Sequence, residues 1–380
     1  MAEGHFFDKG VFFFLAFLVV PATMASGFAP VPVYSIYSPD SLGESADDAL
    51  DTGHALHGQF SMAKHATKHW RIAYIFPHIK DPYWVGCSYG VIGEAKRLGI
   101  SVDILPADGY DDLIGQLRIM DEAIAAGYDA IVISPISMTA NNSLIEKARR
   151  HGIPVFELAN DSTSDNLVLK VTTSLKGMGT HATKWVIRDA MKRGMKSVNI
   201  ALLPGPSGTG WVEGEVAGTR EAARDAPIRV HILDIRYGDS DRIIQSQLAA
   251  GIIARHGKNL DYIIGCTGCA PAARLPVSEA RLQGKIRIVA YDLTREIAGL
   301  IQDGEISAAA DTKGVSQARV VTDAAVEYLE GRKIPKVILI DLGMVDSGNY
   351  EVYSFDTSIP PKGYLPILSY SPEQIGHAKP

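Results

Sequence analysis

From Arg71 onward, short apolar runs alternate with longer stretches in which apolar residues return every three or four positions. The first pattern predicts buried strands and the second amphipathic helices. Their regular alternation predicts parallel sheets with helical crossovers. Strands are expected over residues 72–76, 101–105, 130–134 and 155–158. Helices are expected over 84–98, 113–126 and 143–151, stopped by Gly99, Gly127 and Gly152. That is one doubly wound lobe. A second series follows, with helices over 180–192, 212–224 and 241–255 and one through 279–282, and strands over 197–203, 230–234, 262–265 and 287–291. Helix 294–302, strand 306–310 and helix 315–330 form a last unit, which the reading returns to the first lobe.

The fold class expected is therefore α/β, with two doubly wound parallel-sheet lobes joined by a hinge of several crossings. The boundaries read as 1–25 signal peptide, 26–69 leader, 70–172 plus 293–331 first lobe, 173–292 plus 332–345 second lobe, and 346–380 C-terminal tail. The leader is rich in Pro, Ser, Asp and His without a sustained period, so no structure is assigned to it.

At the N-terminus, Lys9 precedes an apolar run over 11–20, then Pro21 and the small residues around Ala25. This layout predicts secretion with cleavage near Ala25; the bland reading is an uncleaved membrane anchor. No later segment reaches the ~18 apolar residues that a membrane span needs. With 37 basic against 43 acidic residues and no basic block, the chain lacks the electrostatic footprint for nucleic acid or an anionic membrane. Three cysteines are too few for a disulfide framework. The one close pair, Cys266-Thr-Gly-Cys269, reads as small residues at a strand end, with a bridge in an oxidising compartment as the alternative.

In doubly wound sheets, ligands sit beyond the carboxyl ends of the strands. After the first strand comes Lys80-Asp81-Pro82-Tyr83-Trp84, a carboxylate and two large aromatics. Pro82 opens the helix and leaves those side chains at the cleft. Such aromatics can stack on a sugar ring or enclose a cation. The bland reading, that Tyr83 and Trp84 merely cover the core, is weaker, so truncating Trp84 is expected to cost affinity rather than stability. Tyr110 holds the equivalent place after the second strand. Asn160 follows the fourth, as a ligand contact or as ordinary turn chemistry. In the second lobe, residues 204–210 are glycine-rich but lack the Gly-Lys-Ser/Thr end of a phosphate loop, so they read as a lip carrying Trp211. Asp292 and Asp311 end strands near the crossings, as cleft contacts or as hinge turns. No nucleophile elbow or zinc helix is present and the histidines are scattered, so no catalytic residue, metal or cofactor is expected.

Motifs spaced from residue 70 to 370 are Lys80-Asp-x-Tyr-Trp84, Ala107-x-Gly-Tyr110, Glu157-Leu-x-Asn160, Leu203-Pro-Gly-Pro206, Ala308-Ala-x-Asp311 and Gly363-Tyr-Leu-Pro366. On these the chain resembles the type I periplasmic binding proteins, and within them the TorT-like branch of the trimethylamine N-oxide respiration system. The resemblance implies a periplasmic protein that closes on trimethylamine N-oxide in an aromatic cage and signals to a membrane-bound sensor histidine kinase. Asp81, Tyr83, Trp84 and Tyr110 occupy matching cage positions. Two positions depart: Leu175 stands where the cage has Trp, and Asp292 where it has Tyr. An acidic Asp292 suits a quaternary ammonium compound or a polyol at least as well as an amine oxide. The alternative is a transport receptor handing a sugar or small osmolyte to an ABC permease, with Trp84 stacking and Asp292 and Asp311 accepting hydroxyls.

Overall fold

The computed structural model describes residues 30–42, 46–51, 55–63 and 65–372. The signal-peptide reading lies outside these residues. The elements run β1 (Val31–Ile36), α1 (Ala46–Asp51), β2 (Leu56–Phe60), β3 (Arg71–Phe76), α2 (Pro82–Leu98), β4 (Ser101–Pro106), α3 (Leu113–Ala125), β5 (Ala130–Ile133), α4 (Asn142–Arg150), β6 (Val155–Leu158) and β7 (Leu169–Thr172). They continue through α5 (Leu175–Lys192), β8 (Ser197–Gly205), α6 (Gly210–Arg224), β9 (Arg229–Tyr237), α7 (Arg242–His256), β10 (Tyr262–Gly265), α8 (Cys269–Ala272), α9 (Arg274–Glu279) and β11 (Arg287–Ala290). The chain closes with α10 (Arg295–Gln302), β12 (Ala308–Asp311), α11 (Gly314–Leu329), β13 (Val337–Ile340), β14 (Gly343–Asp346) and β15 (Ser369–Tyr370).

Two sheets result, as the alternation predicts. The first has the order β15-β4-β3-β5-β6-β7-β13-β1-β2 and the second β14-β12-β11-β10-β8-β9. The neighbours from β4 to β13 pair in parallel, with antiparallel strands at both margins. In the second sheet only β14 is antiparallel. Strands such as β5 and β10 are apolar along their whole length because helices cover both faces, while Glu157 of β6 and Lys170 of β7 are buried charged residues. In the first lobe, α2 and α11 bury Val91, Ala95, Ala318 and Val321 on one face, while α3 and α4 bury Met120, Ala123, Ile145 and Ala148 on the other. The local signals behave as expected at α2. Asp81 accepts the N–H groups of Tyr83 and Trp84, Pro82 opens the first turn, and Gly99 (φ 77°) ends the helix in the left-handed region.

The assignment of segments to lobes needs three corrections. Part of the unstructured leader is sheet: β1 inserts antiparallel beside β13, Val33 opposite Ile340, and β2 pairs with β1. β1 thus lies between β2 and β13, a strand some three hundred residues further along, which its own pattern does not disclose. The second correction moves β12 into the second sheet, where Ala308 pairs with Val289 of β11. The crossing therefore comes after β12, at Thr312 and Lys313, rather than before α10. The third moves β13 into the first sheet, beside β7, while β14 stays in the second. The helix expected through 279–282 stops at Glu279, since Arg281 and Gly284 take positive φ (56° and 76°). Among the described residues, four chain segments thus join the lobes: Thr173 to Ser174, Thr312 to Lys313, Asp341 to Leu342, and the tail, which leaves the second lobe and ends as β15 on β4 of the first.

Candidate ligand-binding site

A cavity of about 80 Å³ lies between the lobes, at the carboxyl ends of the parallel strands. Of the residues expected at the site, Asp81, Tyr83, Trp84, Tyr110, Asn160, Leu175, Trp211 and Asp292 all border it.

The first lobe supplies the aromatic wall. Trp84 packs on Phe76 at 5.0 Å between ring centroids and meets Tyr83 edge-on at 5.1 Å. It is 1% exposed, so it is core and cavity wall at once. Tyr110 stands against His78 at 5.5 Å. Asn160 fixes this side by donating through Nδ2 to the Pro135 carbonyl at 2.9 Å and to the Tyr110 hydroxyl at 3.4 Å. Its neighbour Ala159 takes φ 67°, an uncommon conformation for a residue with a Cβ, held by its N–H to the Val171 carbonyl and by the Thr172 hydroxyl on its own carbonyl. Strain at a cavity wall of this kind accompanies functional sites.

Carboxylates complete the lining. Asp81 caps α2 through Oδ1 and turns Oδ2 toward His78 Nε2 at 3.5 Å. Asp292 accepts three bonds on Oδ1, from the N–H of Leu293 (2.8 Å), the N–H of Thr312 (3.0 Å) and the Thr312 hydroxyl (2.9 Å). It thereby ties β11 to the crossing. Burial, then the nearby Asp311 charge, pushes its pKa up to about 7. Glu215 is 1% exposed, and burial followed by Asp292 holds its acid well above the usual range. No Lys, Arg or His is among the residues bordering the cavity.

Asp311 is the exception among the expected residues. It borders no part of the cavity; its oxygens accept from the Tyr353 hydroxyl (2.7 Å), the Ser358 hydroxyl (2.5 Å) and the Lys313 N–H (2.9 Å). Both oxygens are thus spent on pinning the tail to a crossing.

Sequence reasoning overlooked Glu215, Gln317, Cys266 and the threonines at 172, 173, 267 and 312, all of which border the cavity. A signal for Glu215 existed. It follows Trp211 by four residues on α6, which puts the two on one helix face. Cys266 is bonded to Cys269, so the bridge that the spacing left open is formed, and Cys87 is free and buried. Among the described residues no cluster of His, Cys, Asp and Glu is arranged to hold a metal ion, and no helix is long and apolar enough to cross a membrane.

The family model described as "Periplasmic binding protein domain" matches residues 72–333. Periplasmic protein TorT of Escherichia coli O157:H7 is 28% identical over 86% of this chain and 93% of its own. The D-allose-binding periplasmic protein of Escherichia coli K12 is 24% identical over 71% and 86%. Among solved structures, an ABC transporter solute binding protein from Bradyrhizobium sp. BTAi1 with bound Bis-Tris is 30% identical at a TM-score of 0.76, covering 90% of this chain and 98% of that one. The complex of the TorS sensor domain with TorT in the presence of TMAO matches at 25% identity and a TM-score of 0.70, over 79% of this chain and 99% of that one.

Proposed function

The chain belongs to the periplasmic binding protein family, and from that premise we propose that it closes on a small amine compound, trimethylamine N-oxide or a related amine or quaternary ammonium ion, and signals to a sensor histidine kinase. The observation that carries the reading is the character of the cavity: aromatic faces from Tyr83, Trp84, Tyr110 and Trp211 beside the carboxyls of Asp81, Glu215 and Asp292, with no basic side chain in the lining. An aromatic face attracts a cation by about 0.5–2 kcal/mol. Carboxylates reinforce that attraction, and the small volume favours a compact ligand. The ligand would touch both lobes, so its differential affinity for the closed arrangement drives closure. The kinase then reads a surface altered by closure. Similarity to TorT, whose complex with the TorS sensor domain is solved, supports a partner of this kind. The site is read as a binding site without catalysis, in keeping with relatives that are binding proteins. The family and the Cys266–Cys269 bridge support work in the oxidising periplasm, reached through a signal peptide at 1–25.

A second reading has its own support. The Bradyrhizobium relative is an ABC transporter protein, and the Bis-Tris it holds is an amine carrying several hydroxyls. Delivery of a hydroxylated osmolyte or sugar to a permease is therefore the alternative.

A thermal-shift screen of the mature chain tests both. A ligand that binds only the folded state stabilises it by about 2.7 kcal/mol at a hundred times its Kd. Stabilisation by trimethylamine N-oxide or tetramethylammonium, together with ligand-dependent capture of a kinase periplasmic domain, supports the sensor. A response to D-ribose or D-allose alone overturns the amine reading.

A further inference from the structure

Helix α6 is locked against α5 by glycines. A Cβ on Gly218 would overlap the Lys176 carbonyl, one on Gly179 would overlap the Glu215 carbonyl, and one on Gly214 would fall 2.7 Å from Leu175 Cβ. With the two backbones this close, Glu215 cannot move away by sliding the helix, and its side chain is held at the cavity wall one turn beyond Trp211. Its Oε2 is buried and has no hydrogen-bond partner. Two more wall residues are in the same condition: Gln317, whose Nε2 donates to the Thr312 carbonyl while Oε1 has no partner, and Trp211, whose Nε1 has none. Leaving buried polar atoms without partners costs about 1–3 kcal/mol each; Gln317 Oε1 is an acceptor, Trp211 Nε1 a donor, and Glu215 Oε2 an acceptor once its acid is ionised.

The unmet chemistry of the cavity is thus specific. Tetramethylammonium presents methyl groups only, so it offers nothing to Glu215, to Gln317 Oε1 or to the Trp211 N–H, whereas the oxygen of trimethylamine N-oxide can accept from the Trp211 N–H and from Glu215 while that acid is protonated. A protonated amine with N–H and hydroxyl groups brings a positive charge that favours the ionised form of Glu215, and then offers hydrogens to Glu215 Oε2 and Gln317 Oε1 and a hydroxyl oxygen to the Trp211 N–H. We infer that Glu215 is a specificity-determining residue of this cavity, selecting a hydroxylated, hydrogen-bearing ammonium ion over fully methylated ammonium ions. The inference rests on the amine reading proposed above and narrows it.

The test is calorimetric titration of the mature protein with diethanolamine, tetramethylammonium, trimethylamine N-oxide and D-ribose, repeated on Glu215→Gln and Glu215→Asp. Diethanolamine is expected to bind tightest. Glu215→Gln is expected to weaken it about 10- to 100-fold, the worth of one hydrogen bond to a charged group, and to weaken tetramethylammonium clearly less. Glu215→Asp, which keeps the charge one methylene further back, is expected to fall between; it also serves should the Gln variant fail to fold. Equal binding of diethanolamine and tetramethylammonium, or diethanolamine affinity unchanged in both variants, overturns the role of Glu215 while leaving the amine cage standing. Binding of D-ribose with no response to any amine overturns both.

Discussion

Tyr110 of the first lobe and Trp211 of the second meet across the cleft, with ring centroids 6.2 Å apart and planes inclined by 54°. Each belongs to a different sheet's loop system, so this contact exists only while the lobes are together. An aromatic pair of this kind contributes about 0.5–1.5 kcal/mol beyond its area. Trp211→Ala is therefore expected to weaken ligand binding several-fold or more, chiefly through faster release, with a small change in Tm. Stopped-flow release kinetics beside a melting curve make the comparison. An unchanged release rate would remove Trp211 from the clamp.

Trp84 carries two duties. Its burial against Phe76 means that Trp84→Ala should cost stability on the scale of a core truncation, about 3–5 kcal/mol, as well as affinity. Tyr110→Ala, at a partly exposed position, should cost affinity with much less loss of stability. Denaturant unfolding of both variants separates them. Equal destabilisation would contradict the division of labour drawn from their burial.

Asp311 holds the tail rather than the ligand. Asp311→Asn and Tyr353→Phe should each lower stability by about 1.5–3 kcal/mol, the scale of a hydrogen bond to a charged group, and leave ligand affinity within a factor of about three. A loss of affinity at unchanged Tm would return Asp311 to the binding site.

The acids in the cavity make both stability and binding depend on pH. Asp292 keeps its proton up to about 7 in the folded chain against 3.8 for a free side chain. Between these limits the folded state binds the extra proton, so stability falls as pH rises from about 4 to about 7, by up to ~1.4 kcal/mol per unit. Above 7 this contribution is flat. Asp311 and Glu215 also interact with this acid, and burial holds their pKa values up too; burial likewise raises Asp81 and lowers the adjacent His78. A cationic ligand favours the ionised acid, so tetramethylammonium should bind more tightly at pH 8 than at pH 6 and release protons on binding. Calorimetry in buffers of different ionisation enthalpy reads that release. Asp292→Asn should flatten both trends; proton uptake on binding would contradict the argument.

Thiol titration gives a direct check on the covalent structure. Unfolded without reductant, the chain should show one reactive thiol, Cys87, and after reduction three. Three thiols before reduction would mean that the Cys266–Cys269 bridge does not form.

Most of the cavity was legible because doubly wound sheets deliver ligand contacts immediately after their strands, and Asp81, Tyr83, Tyr110, Asn160 and Asp292 each stand in that position. Asp311 stands there too. Its environment, however, is decided by Tyr353 and Ser358, whose approach depends on a tail with no periodic signal. Glu215 went unread because a glutamate in a helix is ordinarily a solvated one; only the glycine-mediated contact of α5 with α6 turns it inward. The membership of β1, β12 and β13 in their sheets was illegible for a related reason. Periodicity identifies a strand, whereas its sheet is fixed by which strands it pairs with, for β1 and β13 partners far along the chain and for β12 the neighbouring β11 and β14.

The placement of β1 bears on how the molecule can be made. The second sheet, apart from β14, is drawn from one continuous stretch between Ser197 and Asp311, and can assemble as soon as that stretch is available. The first sheet cannot, because β1 at the start of the described chain waits for β13 near its end, and β4 gains its outer neighbour only from the last strand. A chain delivered N-terminus first thus carries an unfinished first lobe until almost all of it has emerged. The full stability of that lobe is therefore available only once the last strands of the chain have joined it.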